Sequence, residues 1–274
     1  MLDIPNPIQG LLILIFVFVP LENLLAIHKQ KLWREGWITD ICYYFSGYFI
    51  SRGALYILLL FTLIKLTLIK QGSIPLLSEF VSQQPLQLQV LGSIVIGDLS
   101  FYFLHRLLHT VPWLWQFHAI HHSSTNIDWL ATVRVHPFEQ IVTKAVQIIP
   151  LYWIGFSTES PAIYGIFSSA IAFFIHANIR VKFPVLKWII ATPEFHHWHH
   201  DRYPKHSAQN LAVQLPIIDY IFGTWYMPNQ ELPKQYGTGL NIKTNYFSHL
   251  IYPFNYLLQK RKADGFNNRD KLTK

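Results

Sequence analysis

Apolar residues gather in five stretches of this chain, and polar residues collect between them. Residues 8–27, 41–69 and 86–104 are each long enough to cross a bilayer, which takes about 20 mainly apolar residues in a helix. Pro20 and Glu22 interrupt the first near one end, Arg52 lies in the second and Asp98 in the third. Residues 141–156 and 161–175 are shorter and predict a hairpin of two helices, each less than a full span. The pattern predicts an all-α fold: an integral membrane helical bundle with about three long transmembrane helices, a shorter helical hairpin, and a helical cap outside the bilayer. It divides the chain into anchor helices (1–85), a histidine-bearing domain of membrane helices plus cap (86–228) and a polar C-terminal segment (229–274). From Leu258 onward the chain is polar and charged, and a mobile tail is expected there.

Loop charge orients the bundle, because Lys and Arg favour the cytoplasmic side. The segment after the first stretch carries Lys29, Lys31 and Arg34, whereas residues 71–85 and 157–160 carry neither Lys nor Arg. Threading the chain accordingly makes this a multi-pass membrane protein and delivers residues 105–109, residue 176 and the segment near 200 to one face, the cytoplasmic one. Trp33, Trp37, Trp113, Trp115, Trp129, Trp188 and Trp198 fall in segments on that side, where indole rings either sit at the headgroup level or pack a cap.

Composition adds limits. Only 14% of the 274 residues are charged, against about 25% in ordinary soluble domains. The net charge is +7, and 13 of the 22 Lys and Arg lie in residues 180–274 without forming a dense stripe. Anionic headgroups of a cytoplasmic leaflet explain that charge better than nucleic acid does. The single cysteine, Cys42, excludes an internal disulfide and a Cys-ligated iron–sulfur cluster. The N-terminus has no Lys or Arg and no small-residue cleavage pattern after it, so an uncleaved anchor is expected.

The candidate chemistry is carried by histidine. His-x-x-His-His occurs twice, as His118, His121, His122 and as His196, His199, His200, and a His-x-x-x-His pair, His105 and His109, precedes them. Random placement would give about 0.04 copies of the five-residue pattern, so two are not background; the His-x-x-x-His pair alone would occur by chance roughly once. On a helix, positions i, i+3 and i+4 share a face, so each block can aim two or three imidazoles at a point. Thr192-Pro193-Glu194 has the signature of a helix start and puts His196–His200 on a helix. Neutral imidazole suits Fe, Zn, Cu and Ni, and eight imidazoles exceed what one tetrahedral ion needs. Two neighbouring metal ions are expected.

The order of these blocks on membrane segments resembles the fatty acid hydroxylase/sterol desaturase superfamily. Asp98-Leu-Ser-Phe-Tyr-Phe-Leu-His105-Arg-Leu-Leu-His109 is similar to that family's first box, Phe117-His118-Ala-Ile-His121-His122 to its second and Thr192-Pro193-Glu-Phe195-His196-His-Trp-His199-His200 to its third. Arg134-Val-His136-Pro137-Phe-Glu139, His176-Ala-Asn178 and Asp219-Tyr-Ile-Phe222-Gly223-Thr224 resemble elements between and after the boxes. The resemblance covers roughly residues 90–228.

It implies a membrane-bound di-iron centre, with zinc as a substitute metal. That centre would use O2 and an external electron donor of ferredoxin or cytochrome b5 type to hydroxylate, or less readily desaturate, a lipid C–H bond. The donor is expected to be separate, since no His-Pro-Gly-Gly haem element occurs. The implied ligands are the eight box histidines and His176. Where some members have a second histidine near the one matching His176, this chain has Asn178 and Arg180, which brings the count to nine. His136, His197 and Asp98 are candidates for ligand or supporting roles. Asp98 is too far from His105 to bond it, but is expected to orient an imidazole of another box, as metal-bound histidines usually require. Asp128, Glu139, Glu194 and Asp201 are further orienting candidates. Arg106 and Arg134 are candidates to hold a lipid headgroup, or to snorkel. His28, His206 and His249 read as ordinary surface histidines. A sterol, a fatty acyl chain, an ether lipid and a carotenoid remain open as substrates. The rival reading is a non-catalytic metal-binding membrane protein.

Overall fold

The computed structural model describes residues 6–69, 75–181, 185–203, 208–228 and 232–258, with only the backbone described at 54–63, 65–69, 75–76 and 186. His206, residues 71–74 of the charge-free loop and the tail from 259 lie outside the described residues. Among the described residues the fold is all-helical, with two isolated β-bridges and no strand.

Helix α1 (Pro7–Leu25) starts from a capping box. The Asn6 side chain accepts from the Gln9 backbone N–H at 2.9 Å and the Gln9 side chain accepts from the Asn6 N–H at 3.2 Å, so two of the orphan donors of the first turn are satisfied. Helix α2 (Trp37–Ile69) covers the second apolar stretch and α3 (Pro75–Ser82) is a short helix ahead of α4 (Leu86–Thr110). α4 runs past the predicted end at residue 104, so His105 and His109 lie on that helix itself. α5 (Pro112–His121) follows at once, with Pro112 in its first turn. A 3-10 turn (Trp129–Val133) leads into α6 (Pro137–Ile154). The hairpin to α7 (Glu159–His176) turns at Gly155, whose φ of 111° is a left-handed conformation that only glycine adopts cheaply. α8 (Pro193–His199), α9 (Ile217–Ile221) and α10 (246–258) follow. The predicted Thr192 cap is present: its hydroxyl accepts from the Phe195 N–H at 3.3 Å.

Among the described residues, two helices, α1 and α4, are long and apolar enough to cross a membrane. Their burial pattern is the inverse of a soluble amphipathic helix. On α4 the buried face runs through Gln89, Ser93, Gly97, Asp98, Phe101 and His105, at the three- and four-residue spacing of one helix face. Leu88, Leu91, Val95, Phe103 and Leu107 point outward. On α1, Phe16 is 82% exposed. Polar groups inside and apolar groups outside suit a lipid solvent.

α4 packs against α6 and α7, and α2 against α6. Gly97 admits the Tyr164 ring, which a Cβ at that position would overlap, and this brings α4 and α7 together. Beyond the helices, buried polar groups stitch the N-terminal third to the rest. Glu22, near the end of α1, accepts from the backbone N–H of Trp129 at 2.8 Å and of Asn178 at 2.9 Å. Arg34 donates to Asp128 at 2.6 Å and lies 2.8 Å from Asp40, while Arg134 grips Asp40 at 2.6 and 2.9 Å.

These contacts correct several expectations. Arg134 is 1% exposed and saturated by Asp40, so it neither snorkels nor faces a headgroup. Arg106 is exposed. His249 is fully buried rather than on the surface, packed 5.8 Å from the Tyr43 ring, and His28 is half-buried with its ring 3.0 Å from the Pro233 carbonyl oxygen. Trp129 and Trp198 are buried and pack the cap, whereas Trp33, Trp113 and Trp188 are exposed.

Candidate metal centre

The C-terminal ends of α4 and α7 meet α5 and α8, and all the box histidines meet there. The nine imidazoles fall into two groups, His105, His109, His118, His122 and His199 in one and His121, His176, His196 and His200 in the other. Within each group the candidate ligand atoms lie within 4.8 Å of one another. The groups adjoin: the rings of His122 and His200 stack at 4.4 Å.

The helical spacing explains how two centres form from three blocks. In α5, positions i and i+4 (His118, His122) face the five-histidine group and i+3 (His121) faces the other. In α8 the assignment is reversed: His196 and His200 face the four-histidine group and His199 the first. Each five-residue block therefore serves both points rather than one.

Nε2 atoms face each other in both groups. His118 lies 3.0 Å from His105 and 3.1 Å from His122, and His122 lies 3.0 Å from His199. His176, His196 and His200 make a triangle with sides of 3.1, 3.2 and 3.1 Å, and His121 is 3.1 Å from His176. Hydrogen bonds alone cannot satisfy a closed triangle of neutral imidazole nitrogens, since each Nε2 either carries the proton or accepts one, and at least two of the three must be alike. Metal–nitrogen bonds of about 2.0–2.1 Å put neighbouring ligand nitrogens roughly 3 Å apart, which is the spacing seen.

The second ring nitrogen fixes this. Nδ1 of His105 donates to the Leu211 carbonyl at 2.7 Å, that of His199 to Gln209 at 2.9 Å, that of His176 to Ala172 at 2.7 Å and that of His121 to Arg134 at 3.2 Å. Nδ1 of His118 meets the Glu139 carboxylate at 2.7 Å. A neutral imidazole whose Nδ1 carries the proton presents a lone pair at Nε2. Burial enforces neutrality in the cap: His118, His122, His196, His199 and His200 are held well below the usual imidazole value, and His121 is pushed down to about 3. Both nitrogens of His109 are buried with no partner, a costly arrangement unless a ligand satisfies them. The donor set therefore fits two imidazole-bound metal ions.

The remaining candidates lie outside both groups. His136 caps α6, accepting from the Phe138 N–H at 3.1 Å, and its Nε2 faces the Leu250 carbonyl at 3.3 Å. His197 sits between the Tyr236 hydroxyl at 2.7 Å and the Ala177 carbonyl at 3.2 Å, so it braces the exit of α7 behind His176. Asp98 touches no imidazole. Its oxygens accept from the backbone N–H groups of Val213, Gln214 and Leu215 at 2.7–3.2 Å. Asp128 is taken by Arg34. Glu139 alone among the carboxylate candidates reaches a box histidine among these hydrogen bonds.

Sequence reasoning missed the segment 209–212. Its Gln209 and Leu211 carbonyls orient His199 and His105, and Asp219 holds it by accepting from the N–H groups of Leu211 at 2.7 Å and Ala212 at 2.8 Å. Backbone carbonyls leave no residue-type signal. Asp219 did carry one, as part of the segment matched to the element after the third box.

Residues 90–224 match the family model for fatty acid hydroxylase. Ornithine lipid hydroxylase OlsE of Rhizobium tropici is 30% identical over 172 residues, 63% of this chain and 52% of that protein. Human alkylglycerol monooxygenase is 30% identical over 163 residues, 58% of this chain and 35% of that protein. The very-long-chain aldehyde decarbonylase GL1-6 of Oryza sativa subsp. indica is 31% identical over 148 residues, 49% of this chain and 22% of that protein. The chain thus spans about half, or less, of the length of these relatives. No solved structure matches it.

Proposed function

Because its histidine-bearing region, residues 90–224, belongs to the fatty acid hydroxylase family, we propose that this chain is a membrane-bound di-iron oxygenase that hydroxylates a C–H bond of a membrane lipid. Nine convergent imidazoles, eight of them buried, carry this reading. They supply neutral donors only, so nearly all of the positive charge of bound ions stays at the site, offset by Glu139 beside His118. Two irons held there would supply reductive activation of O2 for attack on an unactivated C–H bond.

The balance of the reaction is one O2, two electrons and two protons consumed per hydroxyl group and water formed, and the electrons come from a separate carrier. The chain's own residues do the rest. Nδ1 partners hold His105, His118, His121, His176 and His199 in one tautomer and orientation. Burial of the centre at the inner ends of α4 and α7 excludes bulk water. The apolar outer faces of α1 and α4 keep the centre at the depth where an acyl or alkyl chain can enter from the bilayer. In this reading the long helices and the hairpin are membrane-embedded, the cap is cytoplasmic, and residues 229–274 form its polar C-terminal extension. The similarity to an ornithine lipid hydroxylase and an alkylglycerol monooxygenase favours an acyl- or alkyl-bearing polar lipid as substrate over a sterol or carotenoid.

The test is metal content followed by lipid profiling. Detergent-purified protein from iron-fed cells is expected to carry two irons per chain, and lipids of expressing cells to gain a species heavier by one oxygen. Species lighter by two hydrogens would make it a desaturase instead. A fully metal-loaded chain that changes no lipid and takes up no O2 with a chemical reductant would establish the non-catalytic alternative.

A further inference from the structure

The five-histidine group is served by a loop that supplies no Nδ1 partner to the four-histidine group, although the loop also bonds α7 through Gln214 and α8 through Asn210. Segment 209–215 passes beneath α4, and two of its carbonyls, Gln209 and Leu211, accept the Nδ1 protons of His199 and His105. Asn210 between them has a φ of 54°, the left-handed conformation that few side chains accept. Its side chain secures that turn by donating to the carbonyls of Phe195 and Tyr226 at 2.8 and 2.7 Å and accepting from the Tyr226 N–H at 2.7 Å. Two fully buried carboxylates then hold the following N–H groups. Asp219 takes Leu211 and Ala212, and Asp98 takes Val213, Gln214 and Leu215. Five consecutive backbone donors thus end on two side chains.

The Nδ1 partners of the other group come from elsewhere: Ala172, one turn back on α7 from His176, and Arg134 on the far side of the cap. We propose that Asp98, Asn210 and Asp219 are positioning residues for the five-histidine metal site alone, acting through the Gln209 and Leu211 carbonyls. The inference rests on the nine histidines being ligands.

The test uses the full-length protein in detergent, with Zn2+ as probe and zinc content measured at buffered free-zinc concentrations. One background disables the four-histidine site with His121→Ala and His196→Ala, leaving the other to be read. The second disables the five-histidine site with His105→Ala and His199→Ala. In the first, Asp98→Asn and Asp219→Asn set an amide NH2 against backbone N–H groups and are expected to weaken zinc binding about 10–100-fold, the usual loss when an outer partner of a ligand is removed. In the second they are expected to change it less than about twofold. Asn210→Gly keeps the left-handed backbone but loses the three side-chain hydrogen bonds, and gives the same selectivity should an Asp variant fail to fold.

Equal loss in both backgrounds would mean that the clamp is only structural, and no loss in either would mean that the carbonyls do not position the imidazoles. Either result overturns the proposal while leaving the ligand reading intact. A parent protein that binds no zinc would overturn both. The readout needs no turnover, so it stands apart from whether the chain oxidises a lipid.

Discussion

The two halves of the histidine cluster are built from the same helical spacing and end up unequal. Each half takes one i, i+4 pair and one i+3 histidine from the two five-residue blocks, His118, His122 and His199 on one side and His196, His200 and His121 on the other. The first half then adds a second i, i+4 pair from α4, His105 and His109, whereas the second adds His176 alone. A partner for His176 at i+4 would be residue 180. α7 ends at His176, and position 180 is an exposed Arg. Asn178 is committed elsewhere: its side chain donates to the His28 carbonyl at 2.8 Å and accepts from the His28 N–H at 3.0 Å. The lack of a fifth histidine in the second half is thus a consequence of where a helix stops and of what the segment after it must bind. A centre with five imidazoles leaves an ion less room for further ligands than one with four, and catalytic ions keep an open position. An ion held by the four-histidine group would have the more room for a further ligand.

The largest effects should come from removing one ligand on each side. His199→Ala leaves four imidazoles in the five-histidine group and His121→Ala leaves three in the four-histidine group, so metal affinity is expected to fall at the altered site in each, and further in the second. Lipid oxidation falls below detection in both, because the chemistry needs the pair. Retained oxidation in either variant, measured by lipid profiling, would break the reading of a coupled centre. Next is Asp40→Asn, which leaves Arg134 and part of Arg34 without their counter-charge at 1–2% side-chain exposure. Breaking a buried pair in this way costs about 3–5 kcal/mol. The expected result is a lower thermal midpoint, with the metal lost first from the four-histidine side, because the Arg134 carbonyl orients His121.

Much of this centre is legible in the chain, for a physical reason. Helical ligands repeat at i, i+3 and i+4, and the spacing of His118–His122 and His196–His200 survives as a pattern because a metal leaves few alternatives to imidazole. The helices at 7–25, 86–110, 137–154 and 159–176 follow the apolar stretches that announce them. The division of labour within each block was not legible, since i, i+3 and i+4 share a face and only the surrounding helices decide which centre each ring meets. Nor was the role of Asp98 visible. Its place on the face of His105 suggested an imidazole partner, but its actual partners are the N–H groups of a segment more than a hundred residues away, which carry no side-chain signature. Arg134 misled for the same reason: beside an apolar segment it resembled a snorkelling cation until Asp40, on α2, was brought to it.

Glu139→Gln sharpens the comparison at smaller cost. Glu139 supplies the only carboxylate among the Nδ1 partners found for the nine imidazoles, and bound cations would hold it ionised, so the five-histidine side alone would have a negative charge behind a ligand. A carboxylate in that position raises the basicity of the imidazole. The amide keeps an acceptor for Nδ1 but loses the charge, so zinc or iron affinity at this site should fall by about tenfold, at the low end for an outer partner. Measured in a protein whose four-histidine site is disabled, an unchanged affinity would mean that the charge difference between the two halves has no bearing on metal binding.

The smallest effect is expected at His136, beside the second block in space yet outside both groups. Its ring faces away from the centre: Nδ1 accepts from the Phe138 N–H and Nε2 faces the Leu250 carbonyl. The first contact is an N-cap, and Asn is among the best residues for that role. His136→Asn therefore keeps the start of α6 and gives up one hydrogen bond between α6 and α10, worth about 1 kcal/mol. Both metals and full lipid oxidation should persist, with a thermal midpoint lower by a few degrees at most. Loss of one metal would bring His136 into the centre as a tenth ligand and, since the four-histidine side is the one with room, would erase the inequality between the halves.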